Sequence, residues 1–168
     1  MSEVTITESG TYHVPTGISS YTFRSNENLE LTFLFEDSGA ETSITGVVEV
    51  HDEAPSLSIT LRHLAPQTKA EVLIKTLVRG EGAPICNGAI YIAPEASESE
   101  SYLTHHSLLL TPESKSWSRP SLEICHDQVK CSHAATMRSL DDEELYYART
   151  RGLSREEATN LLVAGFLA

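Results

Sequence analysis

The sequence predicts a mainly β chain that closes with a pair of helices. Two observations point there. Short segments alternate apolar and polar residues with period two, the mark of a strand with one buried face. Leu57, Ile59 and Leu61 share one face of such a segment, with Ser58, Thr60 and Arg62 on the other. After residue 139 the apolar spacing becomes helical. A chain of 168 residues suits one structural domain, with 1–138 as the β core and 139–168 as the helical segment. Hydrophobic residues make up 40% of the chain, which fits a thin, elongated β architecture better than a thick globule.

The strands follow in order. Candidate segments are Val4–Ile6, Leu29–Phe35, Ser43–Val50, Leu57–His63, Ala70–Val78, Gly88–Ile92, Tyr102–Leu110, Ser121–Cys125 and Val129–Ala134. Turn-forming clusters at Glu36–Gly39, His51–Pro55, Ala65–Thr68 and Arg79–Pro84 separate them. The acidic, Ser-rich run Glu95–Tyr102 reads as a solvated loop. Pro112–Pro120 reads as another loop, carrying Trp117, the only tryptophan. Strands recurring roughly every 13 residues suggest a sandwich, a barrel or a coiled solenoid.

The helical segment has its own punctuation. Asp141 precedes Glu144 at capping-box spacing, and acidic residues crowd the first turn. Arg149 and Arg151 favour the C-terminal end, where Gly152 supplies the stop. Ser154 and Glu157 form a second capping box. Ala158, Leu161, Leu162 and Phe166 then mark an apolar face, and the pair reads as a cap for the open end of a β stack.

Composition excludes several function classes. The net charge is −12, with 24 acidic and 12 basic residues and no basic cluster, so neither nucleic acid nor an anionic membrane surface is an expected partner. The start, MSEVTITESG, carries no secretion signal, and no apolar run approaches a membrane span. A cytoplasmic chain with reduced thiols is expected. Cys86, Cys125 and Cys131 form neither a disulfide framework nor a CxxC pair. No Ser–His–Asp set, phosphate loop or HExxH motif appears, so the chain is not expected to be an enzyme.

The C-terminal third carries a family resemblance. The run PSLEICHDQVKCSHAATMRSLDDEELYYARTRGLSREEATNLLVAGFLA, Pro120 to Ala168, resembles the C-terminal signature of the SufB/SufD family. Matching positions include Leu122, Glu123, Ile124, Val129, Lys130, Cys131, Ser132, His133, Ala135, Thr136, Leu140, Tyr147, Arg149, Arg151, Gly152, Glu157 and Ala158. Ser107–Leu110 resembles the strand that precedes them. Cys131 and Ser132, with Ala134 where SufB-type chains carry Glu, make the chain SufD-like. Residues 1–100 show only a compatible strand pattern, and the long N-terminal helical part of typical members is not expected here.

The resemblance implies a short right-handed parallel β-helix followed by a two-helix segment. It implies a scaffold role in iron–sulfur cluster assembly, with a transient cluster as cofactor. The implied partners are a SufC-type ABC ATPase, docked on the helices, and a SufB/SufD-type homologue or a second copy. Cys131 and His133 lie two apart on a strand, so their side chains leave one face. Thiolate and imidazole are iron ligands, and with the resemblance His133 ranks first and Cys131 second. Otherwise Cys131 is a small core filler and His133 a hydrogen-bonded surface residue. A SufB-type key cysteine maps to His105, which makes His105, Cys131 and His133 a candidate mixed iron site, alone or across a dimer. Cys125 and His126 sit at a strand end, Cys86 reads as a buried small hydrophobe, and His13, His51 and His63 belong to no constellation. Tyr146, Tyr147, Arg149 and Arg151 are the candidate ATPase contacts. The alternative function is a protein-interaction module of the same complex that binds no metal. An unrelated β-solenoid or sandwich binding a small molecule ranks far below.

Overall fold

The computed structural model describes residues 2–168. Strands β1 (Ser2–Ile6), β2 (Gly10–His13), β3 (Gly17–Ser25), β4 (Leu29–Phe35), β5 (Ala40–Val50), β6 (Ser56–His63), β7 (Lys69–Val78), β8 (Ile85–Ile92), β9 (Glu100–Leu109), β10 (Trp117–Ile124) and β11 (Lys130–Ser139) precede helices α1 (Asp142–Thr150) and α2 (Arg155–Leu167). Every strand pairs in parallel with the strand two places away in sequence. Odd strands form one sheet, ordered β1-β3-β5-β7-β9-β11, and even strands the other, ordered β10-β8-β6-β4-β2. The chain therefore coils as a parallel β-solenoid of about four turns, which settles the choice among sandwich, barrel and solenoid.

Parallel stacking sets each inward side chain beside its equivalent in the next turn. Leu29 and Leu57 pair with Cys86, Leu31 and Ile59 with Gly88, and Phe33 and Leu61 with Ile90. On the odd sheet Tyr21, Ile44, Val72, Leu103 and His133 form one row. Phe33, Phe35, Leu31, Ile44, Ile59, Leu61 and Ile74 are fully buried, each contributing roughly 1.5–3 kcal/mol of transfer free energy. The corners repeat as well. Gly39, Gln67 and Glu98 take left-handed φ values of 74°, 58° and 57°, and each donates its backbone N–H to a carbonyl of the following turn, at Pro66, Ser97 and Gln128 respectively.

The two ends differ. At the first, Tyr12 stacks on Phe33, with ring centroids 5.5 Å apart, and Tyr21 meets Phe33 edge-on at 5.2 Å, so aromatic rings plug the stack. At the second, β10 and β11 are the exposed edge strands, and their inward Leu122, Ile124 and Met137 remain 47%, 44% and 49% exposed.

Several sequence expectations need correction. The run Glu95–Tyr102 is not a solvated loop: Ala96, Ser99 and Ser101 are fully buried and β9 begins at Glu100. β2 and β3 were not foreseen, because β2 buries little and the inward face of β3 begins with Ser19, which pairs with the Thr42 hydroxyl at 3.1 Å. β10 begins at Trp117, inside the expected 112–120 loop. The helices do not cap the open end. Leu77 and Leu108 pair across β7 and β9, break the alternation by facing outward, and are covered by Val163, Phe166 and Leu167. The helix pair thus lies against the outer face of the odd sheet.

The caps position it there. Ser154 and Glu157 make the full capping box. Asp141 accepts from the Glu143 N–H at 2.9 Å without the reciprocal bond, because the Glu144 carboxylate accepts from Arg138 instead. Gly152, at φ 93°, turns the chain between helices whose contact is made by Leu145, Ala148 and Ala158. Leu161, expected on the apolar face, is 58% exposed. Among the described residues no helix is long and apolar enough to cross a membrane.

Candidate functional site

Register places the site at the open end. Cys131 pairs with Ser101 and His133 with Leu103, both inward residues of β9, so thiol and imidazole point into the solenoid from its last turn. Burial of both is partial because nothing stacks on β11. Burial raises the Cys131 thiol above its usual pKa and lowers that of His133. The imidazole reaches across the interior to β8: a Cβ added at Gly88 would collide with Nε2 of His133 and lie 3.3 Å from its Cδ2.

His105 pairs with Ala135, two residues beyond His133, and is 1% exposed. Its Nε2 lies 2.9 Å from the Thr76 hydroxyl and 3.2 Å from that of Ser107, which continues to Ser116 at 2.9 Å. Burial, with smaller contributions from His133 and His106, lowers its pKa to about 4, so it is neutral. His105 and His133 are thus diagonal neighbours on adjacent strands, but the nitrogen Nε2 of His105 is already engaged. Among the described residues no three His, Cys, Asp or Glu side chains converge to hold a metal ion, so Cys131, His133 and His105 are not a closed three-ligand set within one chain.

Unsatisfied polarity is concentrated here. Buried side-chain polar atoms without a hydrogen-bond partner are Nε2 of His63, the hydroxyls of Ser101 and Ser118, and both ring nitrogens of His133. Ser101 backs Cys131 from β9, and Ser118 faces inward from β10. Such groups are ordinarily paired, and each orphan costs about 1–3 kcal/mol. Sequence reasoning missed Ser101 and Ser118. Their only signal is an inward parity that appears once the register is known.

The other cysteines behave differently. Cys86 is buried, and desolvation pushes its thiol up to about 12, while Cys125 is exposed. Iodoacetamide at neutral pH should label Cys125 first, Cys131 more slowly, and Cys86 only on unfolding. Peptide mass spectrometry checks the order, and early labelling of Cys86 would contradict its placement. The candidate docking residues on α1 are exposed: Tyr146 at 71% and Tyr147 at 62%. Arg151 donates to the Tyr147 hydroxyl at 3.2 Å and lies over its ring. Arg149 is exposed in the last turn.

The family profile described as SUF system FeS cluster assembly, SufBD core domain, matches residues 11–166. The chain belongs to the SufBD family. It is 33% identical over 119 residues to the iron–sulfur cluster assembly protein SufD of Escherichia coli (strain K12), an alignment covering 71% of this chain and 28% of that protein. It is 32% identical over 105 residues to an iron–sulfur cluster assembly SufBD family protein of Staphylococcus aureus (strain USA300), covering 62% of this chain and 23% of the relative. The chain spans about a quarter of the length of these SufBD relatives. The C-terminal signature therefore identified the family correctly, and the match extends it back over most of the solenoid.

Proposed function

We propose that this chain is a cytoplasmic scaffold component of iron–sulfur cluster assembly, without turnover chemistry of its own. Cys131 and His133 hold a nascent cluster as cargo at the open end of the solenoid, with His105 backing them from the neighbouring strand. The observation that carries this reading is Cys131 and His133 on one inward face of the last turn, with both His133 ring nitrogens and the Ser101 hydroxyl beside Cys131 unpartnered. A soft thiolate beside a neutral imidazole suits iron, and hydroxyls nearby suit the cluster's sulfides.

Two ligands leave coordination to be completed by another chain. The unpaired edges of β10 and β11, with Trp117, Leu122, Ile124 and Met137 exposed, fit docking of a SufB/SufD-type homologue or a second copy. A SufC-type ATPase docks on the exposed face of α1, through Tyr146, Tyr147, Arg149 and Arg151. Tyr147 and Arg151 are pre-organised by their mutual contact, which suits an interface anchor. Co-expression with a tagged SufC-type ATPase tests the docking. The wild-type chain co-elutes, and Tyr147→Ala/Arg151→Ala weakens binding by about tenfold or more. Equal co-elution of the variant would move the interface elsewhere, and no co-elution of the wild type would remove the ATPase from the account.

A further inference from the structure

We propose that Gly88, on the sheet opposite His133, is a positioning residue: its missing side chain is the socket that holds the His133 imidazole inside the last turn. The inference rests on the cluster-scaffold reading for its purpose, but on packing alone for its geometry.

Gly88 lies in the inward row that runs Leu31, Ile59, Gly88, Pro120. The two preceding turns fill this place with large aliphatic side chains, both fully buried. Gly88 interrupts the row one turn before the open end. Its φ lies outside the left-handed region, so the backbone does not demand glycine there. A glycine within a strand weakens it and commonly marks a close approach by another group. The approaching group is the His133 ring: an added Cβ would clash with Nε2, and Leu103 Cδ1 would lie 3.1 Å away.

The other inward residues of the odd-sheet row ending at His133 are Tyr21, Ile44, Val72 and Leu103. An imidazole in that row can point across the interior only where the facing strand leaves room, and Gly88 leaves it. With the ring seated, His133 stays on the same inward face as Cys131. With a methyl group at Gly88, the ring must rotate out through the open end, where β10 and β11 offer no stack to hold it.

Three measurements on Gly88→Ala test the inference. Carbethoxylation of His133 by diethyl pyrocarbonate, read by peptide mass spectrometry with exposed His13 as internal reference, should rise by about tenfold as the ring leaves its packed seat. The variant should also lower Tm, and Gly88→Ala in a His133→Ala background should lower it much less, because the clashing ring is gone and only the tight Leu103 contact remains. An unchanged His133 rate, or equal Tm loss in both backgrounds, would overturn the inference. If the single variant fails to fold, the double variant decides: folding of Gly88→Ala/His133→Ala supports the socket, and its failure to fold overturns it. The third measurement is ferrous iron retained after anaerobic purification, which should fall in Gly88→Ala as it falls in His133→Ala. Equal iron in wild type and His133→Ala would defeat the cluster reading, with the socket still judged by labelling and Tm.

Discussion

Replacing Phe33 with alanine should lower the unfolding free energy by about 3–5 kcal/mol, a large share of the roughly 5–15 kcal/mol of an ordinary domain. Phe33 has no exposed surface and sits at the centre of the aromatic plug. Its ring stacks on Tyr12 and meets Tyr21 edge-on, while its strand neighbour Leu61 is also fully buried. Removing it leaves a cavity whose walls belong to three turns of the solenoid, and parallel stacking prevents one turn from collapsing without shifting the next. Thr32→Ala, one residue away on the outer face, should change stability by less than about 0.5 kcal/mol. Urea melts of the two variants check this. A loss below about 1 kcal/mol for Phe33→Ala would mean that the first end is not sealed by this ring.

Acid should destabilise the solenoid through His63. This side chain is fully buried, stacks on Phe35 at 4.3 Å between centroids, and shares a 2.7 Å hydrogen bond with the Thr68 hydroxyl. Desolvation lowers its pKa from 6.5 to about 4, so the fold holds the neutral ring. The unfolded chain takes up a proton near pH 6.5 that the folded chain refuses until about pH 4. Stability from this group is complete above the unfolded pKa and is lost as pH falls through that window, a total of about 3 kcal/mol. Urea midpoints at neutral pH and near the lower end of the window should differ more for wild type than for His63→Leu. An equal pH dependence in both would show that His63 is not a buried neutral imidazole.

Much of the architecture is legible in the sequence where one face is uniformly apolar. β4 was foreseen at its observed bounds, and β6 and β7 within a residue, because each alternates cleanly. β3 hides its inward start behind Ser19, whose hydroxyl is satisfied by the Thr42 hydroxyl and the Glu41 carbonyl of the next turn, contacts that exist only in the coiled chain. β10 hides behind Pro120, which reads as a loop residue. An edge strand tolerates a proline because one side of it needs no N–H donor. That Cys131 and His133 share one face follows from period two alone, and the register on β9 makes that face the inward one. The socket at Gly88 does not, because it depends on which residue of the opposite sheet faces β11, and separation along the chain carries no trace of that. The position of the helices was misread for a related reason. Leu77 and Leu108 look like ordinary strand residues until Val163 and Phe166 cover them from outside.

Iron and acid-labile sulfide in the anaerobically purified complex are the most direct measure of the central claim. The chain is co-expressed with a SufC-type ATPase and a SufB/SufD-type homologue, as wild type and as Cys131→Ala/His133→Ala. The account predicts iron and sulfide on the wild-type complex and their loss from the variant, with the complex itself still intact. Equal iron and sulfide on both, or none on an assembled wild-type complex, would contradict it and leave the chain as an interaction module that binds no metal.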